Sequence, residues 1–239
     1  MRPRTPTVFA AASLALAAAA PWACAPASPP PPAGTAPVAS ARSPADAGPA
    51  VAGTVEVAAR PDGSAVATLR RQTVTTAVLA RAAATPGLSC LQIVDCDFDR
   101  GLDWSPLAAP PALTRLTVRG GTLAGGGTLR AAARLEALEL VGCRGVDAVA
   151  GDVATMAGLH FLNLSSSDVS PAGLRRAGGA PLRVLAVSGT GVGDESVEPL
   201  ARMPALETLF CVDCPISDAG FERLLALTAD RRKRLDVQR

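Results

Sequence analysis

The sequence predicts an α/β solenoid, with a curved parallel sheet on its concave side and short helices on its convex side. Three observations carry this prediction. A leucine skeleton recurs every 22 to 25 residues from Leu88 onward. Each recurrence holds two apolar residues at strand spacing. The segments between recurrences carry helix-start signals followed by a short apolar face.

The recurrent stretches are "LSCLQIVDCDF" from Leu88, "LTRLTVRGGTL" from Leu113, "LEALELVGCRGV" from Leu135, "LHFLNLSSSDV" from Leu159, "LRVLAVSGTGV" from Leu182 and "LETLFCVDCPI" from Leu206. A seventh, "RLDVQR", is partial and holds Leu235 and Val237. The fourth and sixth residues of a unit, such as Leu162 and Leu164, point inward on a strand. One unit cannot bury that face alone, whereas stacked units form a parallel ladder with rungs about 4.8 Å apart. The ninth residue also turns inward and is small or polar: Cys96, Gly121, Cys143, Ser167, Thr190 and Cys214. Such residues suit a bend that needs local hydrogen bonds.

The return segments "VSPAGL", "VGDESV" and "ISDAGF" place a β-branched residue inward, then a cap-like Ser or Gly, then Pro or Asp in a first helical turn. Val197 with Leu200, and Phe221 with Leu224 and Leu225, give the helical faces. This spacing, with L-x-x-L-x-L-x-x-C-like content, resembles leucine-rich repeat proteins, in particular their cysteine-containing and ribonuclease-inhibitor-like subtypes. The resemblance covers the chain from about Leu88 onward. It implies a binding module that acts through its concave strands, with a protein as partner.

Upstream, "VTTAVLARAAAT", Val74 to Thr85, predicts a helix ending before Pro86, and "TVEVAA" predicts an early strand. Residues 51–87 are therefore assigned as an N-terminal cap and 88–239 as the repeat domain. Residues 24–50 are rich in Pro, Ala, Ser and Gly and bury too little to fold, so they form a linker. Residues 1–23 have the layout of a signal peptide: Arg2 and Arg4, then the apolar run Val8 to Ala20. Ala23-Cys24 resembles a bacterial lipoprotein signal, making Cys24 the lipid attachment point. The rival cleavage, after "APA", leaves Ser28 first. The expected location is outside the cytoplasm, anchored in the cell envelope by lipid, or otherwise secreted or periplasmic.

The net charge of +2 gives no global field toward nucleic acid, and the scarcity of aromatics gives no base-stacking surface. Neither a cofactor nor a metal is expected. In "DCDFDRGLD" the aspartates Asp95, Asp97 and Asp99 alternate because Cys96 and Phe98 face the core; Gly101 and Pro106 stand where a calcium loop needs other residues. "GGTLAGGGT" lacks the lysine of a phosphate-binding loop, with Gly127 in its place. His160, the single histidine, has serines nearby in sequence but no nucleophile elbow. Cys96 and Cys143 are two rungs, roughly 9–10 Å, apart and out of disulfide reach. Cys211 and Cys214 share one rung and either pair or remain buried thiols. "RRKR", Arg231 to Arg234, reads as a solvated turn.

Function is therefore expected on the outward strand positions. The third residues of the units are Cys90, Arg115, Ala137, Phe161, Val184, Thr208 and Arg234; the fifth are Gln92, Thr117, Glu139, Asn163, Ala186, Phe210 and Asp236. The candidate binding residues are Arg115, Arg119, Glu139, Phe161, Asn163, Val184 and Phe210. Aromatics ringed by polar groups suit a protein partner. The predicted function is a non-enzymatic, monomeric interaction module. A structural envelope protein without a ligand and a secreted effector are the alternatives.

Overall fold

The computed structural model describes residues 54–123, 129–229 and 235–239. The signal-peptide, linker and Cys24 assignments, the glycines of 124–128 and "RRKR" lie outside the described residues. Among the described residues, nine strands form one sheet: β1 (Glu56–Ala59), β2 (Ala65–Arg70), β4 (Leu88–Val94), β6 (Arg115–Arg119), β7 (Ala137–Val141), β8 (Phe161–Asn163), β9 (Val184–Ala186), β10 (Thr208–Phe210) and β11 (Asp236–Gln238), in that spatial order. From β2 to β11 every pairing is parallel; β1 pairs antiparallel with β2. A second small ladder joins β3 (Thr73–Val74) to β5 (Asp97–Phe98) beyond the bend. The fold is an α/β leucine-rich repeat solenoid.

The inward columns follow the leucine skeleton. Ala67, Leu91, Leu116, Leu138, Leu162, Leu185 and Leu209 align rung by rung and are all buried. Leu69, Ile93, Val118, Leu140, Leu164, Val187 and Cys211 form the adjacent buried column. A buried leucine contributes roughly 1.5–3 kcal/mol relative to exposure, so these columns hold the stack together.

The ladder continues around the bend through a residue that the sequence did not single out. The eighth residue of each unit is left-handed: Arg71, Asp95, Gly120, Gly142, Ser166, Gly189 and Asp213, with φ between 47° and 71°. Its N–H then donates to the preceding residue's carbonyl on the next rung. The bonds run from Asp95 to Arg119 at 2.8 Å, Gly120 to Val141 at 2.9 Å, Gly142 to Ser165 at 2.9 Å, Ser166 to Ser188 at 2.8 Å and Gly189 to Val212 at 2.8 Å. The ninth side chain closes the corner from inside. The Cys96 thiol donates to Val94 O at 3.3 Å, that of Cys214 to Val187 O at 3.0 Å, and the Thr190 hydroxyl to Val187 O at 2.5 Å. The Ser167 hydroxyl donates to Leu164 O.

The convex side carries α1 (Thr76–Ala83), α2 (Ala150–Val153), α3 (Pro171–Ala177), α4 (Val197–Ala201) and α5 (Asp218–Leu227), with 3-10 turns in other units. Thr75, Ser170 and Ser217 cap α1, α3 and α5 through their side-chain oxygens. Two caps are themselves held by the preceding unit. Ser170 N–H donates to Asp147 Oδ1 at 3.0 Å, and the Ser170 hydroxyl donates to Asp147 Oδ2. Ser217 N–H and hydroxyl donate to Asp194 at 2.8 and 2.7 Å. The starts of α3 and α5 are thus tied to the unit before them.

At its N-terminal end the ladder begins one rung earlier than the visible repeat. β2 is a parallel rung with Ala65 and Ala67 in the inward columns, and β1 folds back over its edge. The expected helix appears as α1 and the expected early strand as β1. The last rung is shifted by two residues from its expected register. Asp236 pairs with Thr208 and Gln238 with Phe210, so Asp236, expected at the fifth position, stands at the third. Val237 accordingly enters the Leu209 column, while buried Leu235 fills the space before it.

Candidate interaction surface

The outward strand residues form straight rows, because parallel pairing in register repeats each position on the next rung. One row runs Arg115, Ala137, Phe161, Val184, Thr208 and Asp236. A second runs Thr117, Glu139, Asn163, Ala186, Phe210 and Gln238. A third joins Val94, Arg119 and Val141. All seven expected binding residues therefore lie on one face of consecutive rungs, β6 to β10.

The face is less open than alternation alone predicts. Cys90 is 1% exposed, and Ala137, Thr117 and Ala186 are 4% exposed, although all four stand at outward positions. The reason is size: each is short and lies between longer side chains on adjacent rungs, as Ala137 does between Arg115 and Phe161, and Ala186 between Asn163 and Phe210. Those longer neighbours stand above the surface. Phe161, Val184, Phe210, Asn163, Arg115 and Glu139 are half-buried, and Arg119 is exposed.

Local chemistry fixes part of the face. Asn163 uses its side-chain carbonyl to accept from Ser165 N–H at 3.0 Å, which orients the amide. The Thr117 hydroxyl meets Glu139 Oε1 at 3.4 Å across one rung. Sequence reasoning passed over the second position of each unit. There Arg183 and Glu207 form a two-pronged pair, Nε to Oε1 at 3.2 Å and a terminal guanidinium nitrogen to Oε2 at 3.0 Å. Glu207 beside it holds the Arg183 guanidinium above its ordinary pKa. The signal was present in sequence as a column of polar residues, Glu136, His160, Arg183 and Glu207, bordering the strand face.

The groups considered for catalysis and metal binding are engaged locally. His160 Nδ1 donates to Gly158 O, and the Ser167 hydroxyl is used at its own bend. Asp95, Asp97 and Asp99 are exposed on the outer side of the corner, with Cys96 buried and Phe98 half-buried between them. Phe98 packs against Trp104 with ring centroids 5.8 Å apart. Cys90, Cys96, Cys143, Cys211 and Cys214 are free thiols. Burial pushes the Cys143 thiol up to about 12 and the Cys211 thiol up to about 11, so both stay protonated near neutral pH. Among the described residues no helix is long and apolar enough to cross a membrane.

No protein-family model matches the sequence, and no curated protein matches it. Similar solved structures include internalin C2 from Listeria monocytogenes, 19% identical at a TM-score of 0.42, with 74% of this chain and 81% of that one covered. An internalin, inlF, from the same bacterium is 18% identical at a TM-score of 0.39 over 70% of this chain; the match spans only 57% of the internalin. The leucine-rich repeat ectodomain of the receptor kinase SOBIR1 from Arabidopsis thaliana is 14% identical at a TM-score of 0.31, covering 69% and 83%. Likeness of this degree carries nothing about partner or activity.

Proposed function

We propose that this chain is a non-enzymatic protein-interaction module that works outside the cytoplasm and binds a protein partner through its concave strand face. One observation carries the reading: Phe161, Val184 and Phe210, three bulky apolar side chains, stand half-buried at outward positions of three consecutive rungs. Folding alone does not call for them there, since the stack is held by the opposite, inward columns. Large apolar groups beside Asn163, Thr208 and Asp236 supply the apolar centre and polar surround of an interaction site. The N-terminal sequence supports export, with a lipid anchor at Cys24, or release with Ser28 first, delivering the module to that partner. The module needs no cofactor and acts as a monomer.

Photo-crosslinking in the native cell tests this. With a photoreactive side chain at Phe210, one discrete crosslinked protein is expected, and Phe161→Asp is expected to abolish it. A diffuse set of products unchanged by Phe161→Asp would overturn the concave-face reading and favour a structural envelope role.

A further inference from the structure

The concave face has two chemically different ends, and together they specify the partner. β6 contributes Arg115 and Arg119, one at each edge of its outward face. β8 to β10 contribute Phe161, Val184 and Phe210. Arg119 is exposed, and its guanidinium enters no ion pair among the described residues. The outward face of β6 thus carries an exposed cation, without an ion pair among the described residues, at a fixed distance from the apolar side chains of β8 to β10.

That distance follows from the ladder. β8 lies two rungs from β6 and β10 lies four, about 10 and 19 Å at the usual strand separation. Arg119 also stands four residues along its strand from the Phe161 row and two from the Phe210 row, which makes the separations about 16 and 20 Å. An extended chain covers about 3.3 Å per residue, so roughly five to six residues separate the two ends. Glu139 stands on β7 between them and opposes a second carboxylate in the gap. We infer that the partner, on the concave-face reading above, is an extended protein segment with one carboxylate roughly five to six residues from a bulky apolar side chain. Its carboxylate meets Arg119, with Arg115 on the same strand, and its apolar side chain meets the Phe161 and Phe210 region. A neutral or basic residue suits the position over Glu139.

Selection of displayed short random peptides on the full chain, in parallel with Arg119→Glu and Phe210→Asp, tests the inference. The unaltered chain is expected to enrich peptides with Asp or Glu at that spacing from Phe, Trp, Leu or Ile. Arg119→Glu is expected to enrich Lys or Arg at the same place while keeping the apolar residue. It should weaken an acidic peptide about tenfold, because the contact becomes repulsive. Phe210→Asp is expected to lose both sets; Phe210→Ala, milder to the fold, gives the same test if the aspartate variant does not fold. Peptides that require Phe210 but show no acid preference, and no change with Arg119→Glu, overturn the inference and leave the concave-face reading standing. Enriched peptides that depend on neither residue overturn both.

Discussion

Ser166 is exposed, polar and left-handed at φ 57°, a conformation that an L-residue adopts at a cost of roughly 1–2 kcal/mol. It is tolerated because its N–H makes the 2.8 Å bond that carries the ladder through the corner to Ser188. Glycine removes the steric cost but loses more freedom on folding, roughly 0.5–1 kcal/mol. The steric term is the larger, so Ser166→Gly is expected to stabilise the protein by about 0.5 kcal/mol, and Ser166→Val to destabilise it by about 1 kcal/mol or more. Urea midpoints measure both; a lower midpoint for Ser166→Gly would show that the corner is not strained. The corner was only partly legible in sequence. Gly120, Gly142 and Gly189 advertise it, but Arg71, Asp95, Ser166 and Asp213 occupy the same conformation with side chains that give no such signal. Asp95 shows the consequence: its place in an acidic run is a matter of backbone geometry, with Cys96 taking the interior.

At the scale of the element, the starts of α3 and α5 on the convex side are built by two units together. The Ser-x-x-Gly pattern of "VSPAGL" reads as an ordinary cap, and the cap is there. The sequence hid why the third helical position is glycine. A Cβ on Gly173 would lie 2.0 Å from Asp147 Oδ1, and one on Gly220 would lie 2.1 Å from Asp194 Oδ1. Each carboxylate reaches in from the preceding unit, a contact between residues 23 apart that no local pattern shows. Gly173→Ala is therefore expected to displace Asp147, break its bonds to Ser170 and cost about 1–2 kcal/mol. In an Asp147→Ala background the obstruction is gone. The same Gly173→Ala change should then be neutral or stabilising, by up to about 1 kcal/mol, because alanine is the better helix former. A double-mutant cycle by chemical denaturation resolves this, and equal effects in both backgrounds would dismiss the inter-unit cap. Acid should act on the equivalent pair in one direction. Ser217 holds the Asp194 carboxyl below its ordinary 3.8, so this pair's contribution is present above that value and is lost as pH falls through the lower, folded value.

Over the whole molecule, the repeat was readable wherever leucine filled the inward columns and obscure where it did not. Ala65 and Ala67 conceal the first rung, since small side chains on a parallel strand leave no leucine period to count. Leu235 suggests a register for β11 that Val237 in fact takes, because a short terminal fragment offers two apolar residues for one column. The outward strand positions form rows from rung to rung, but the burial of Cys90, Thr117 and Ala186 depends on neighbouring rungs and could not be read from one unit. This dependence on neighbours also governs stability, since each rung contacts chiefly the rungs beside it. Leu162 is 1% exposed and is flanked by Leu138 and Leu185 in its column. Leu162→Ala is expected to cost about 2–5 kcal/mol and to lower amide protection together across β6 to β9. β1, by contrast, is exposed along its whole length and pairs only with β2. Val57, 52% exposed, adds little burial there. Val57→Ala should change the unfolding free energy by less than about 0.5 kcal/mol and leave the central rungs as protected as before. Native-state hydrogen exchange followed by peptide mapping separates the two. Joint loss across the central rungs for Leu162→Ala, with loss confined to β1 and β2 for Val57→Ala, is the pattern of a stack coupled through nearest neighbours. Loss of protection confined to β8 in the first variant would mean that the units open one at a time, and the concave face would then be no rigid platform for a partner.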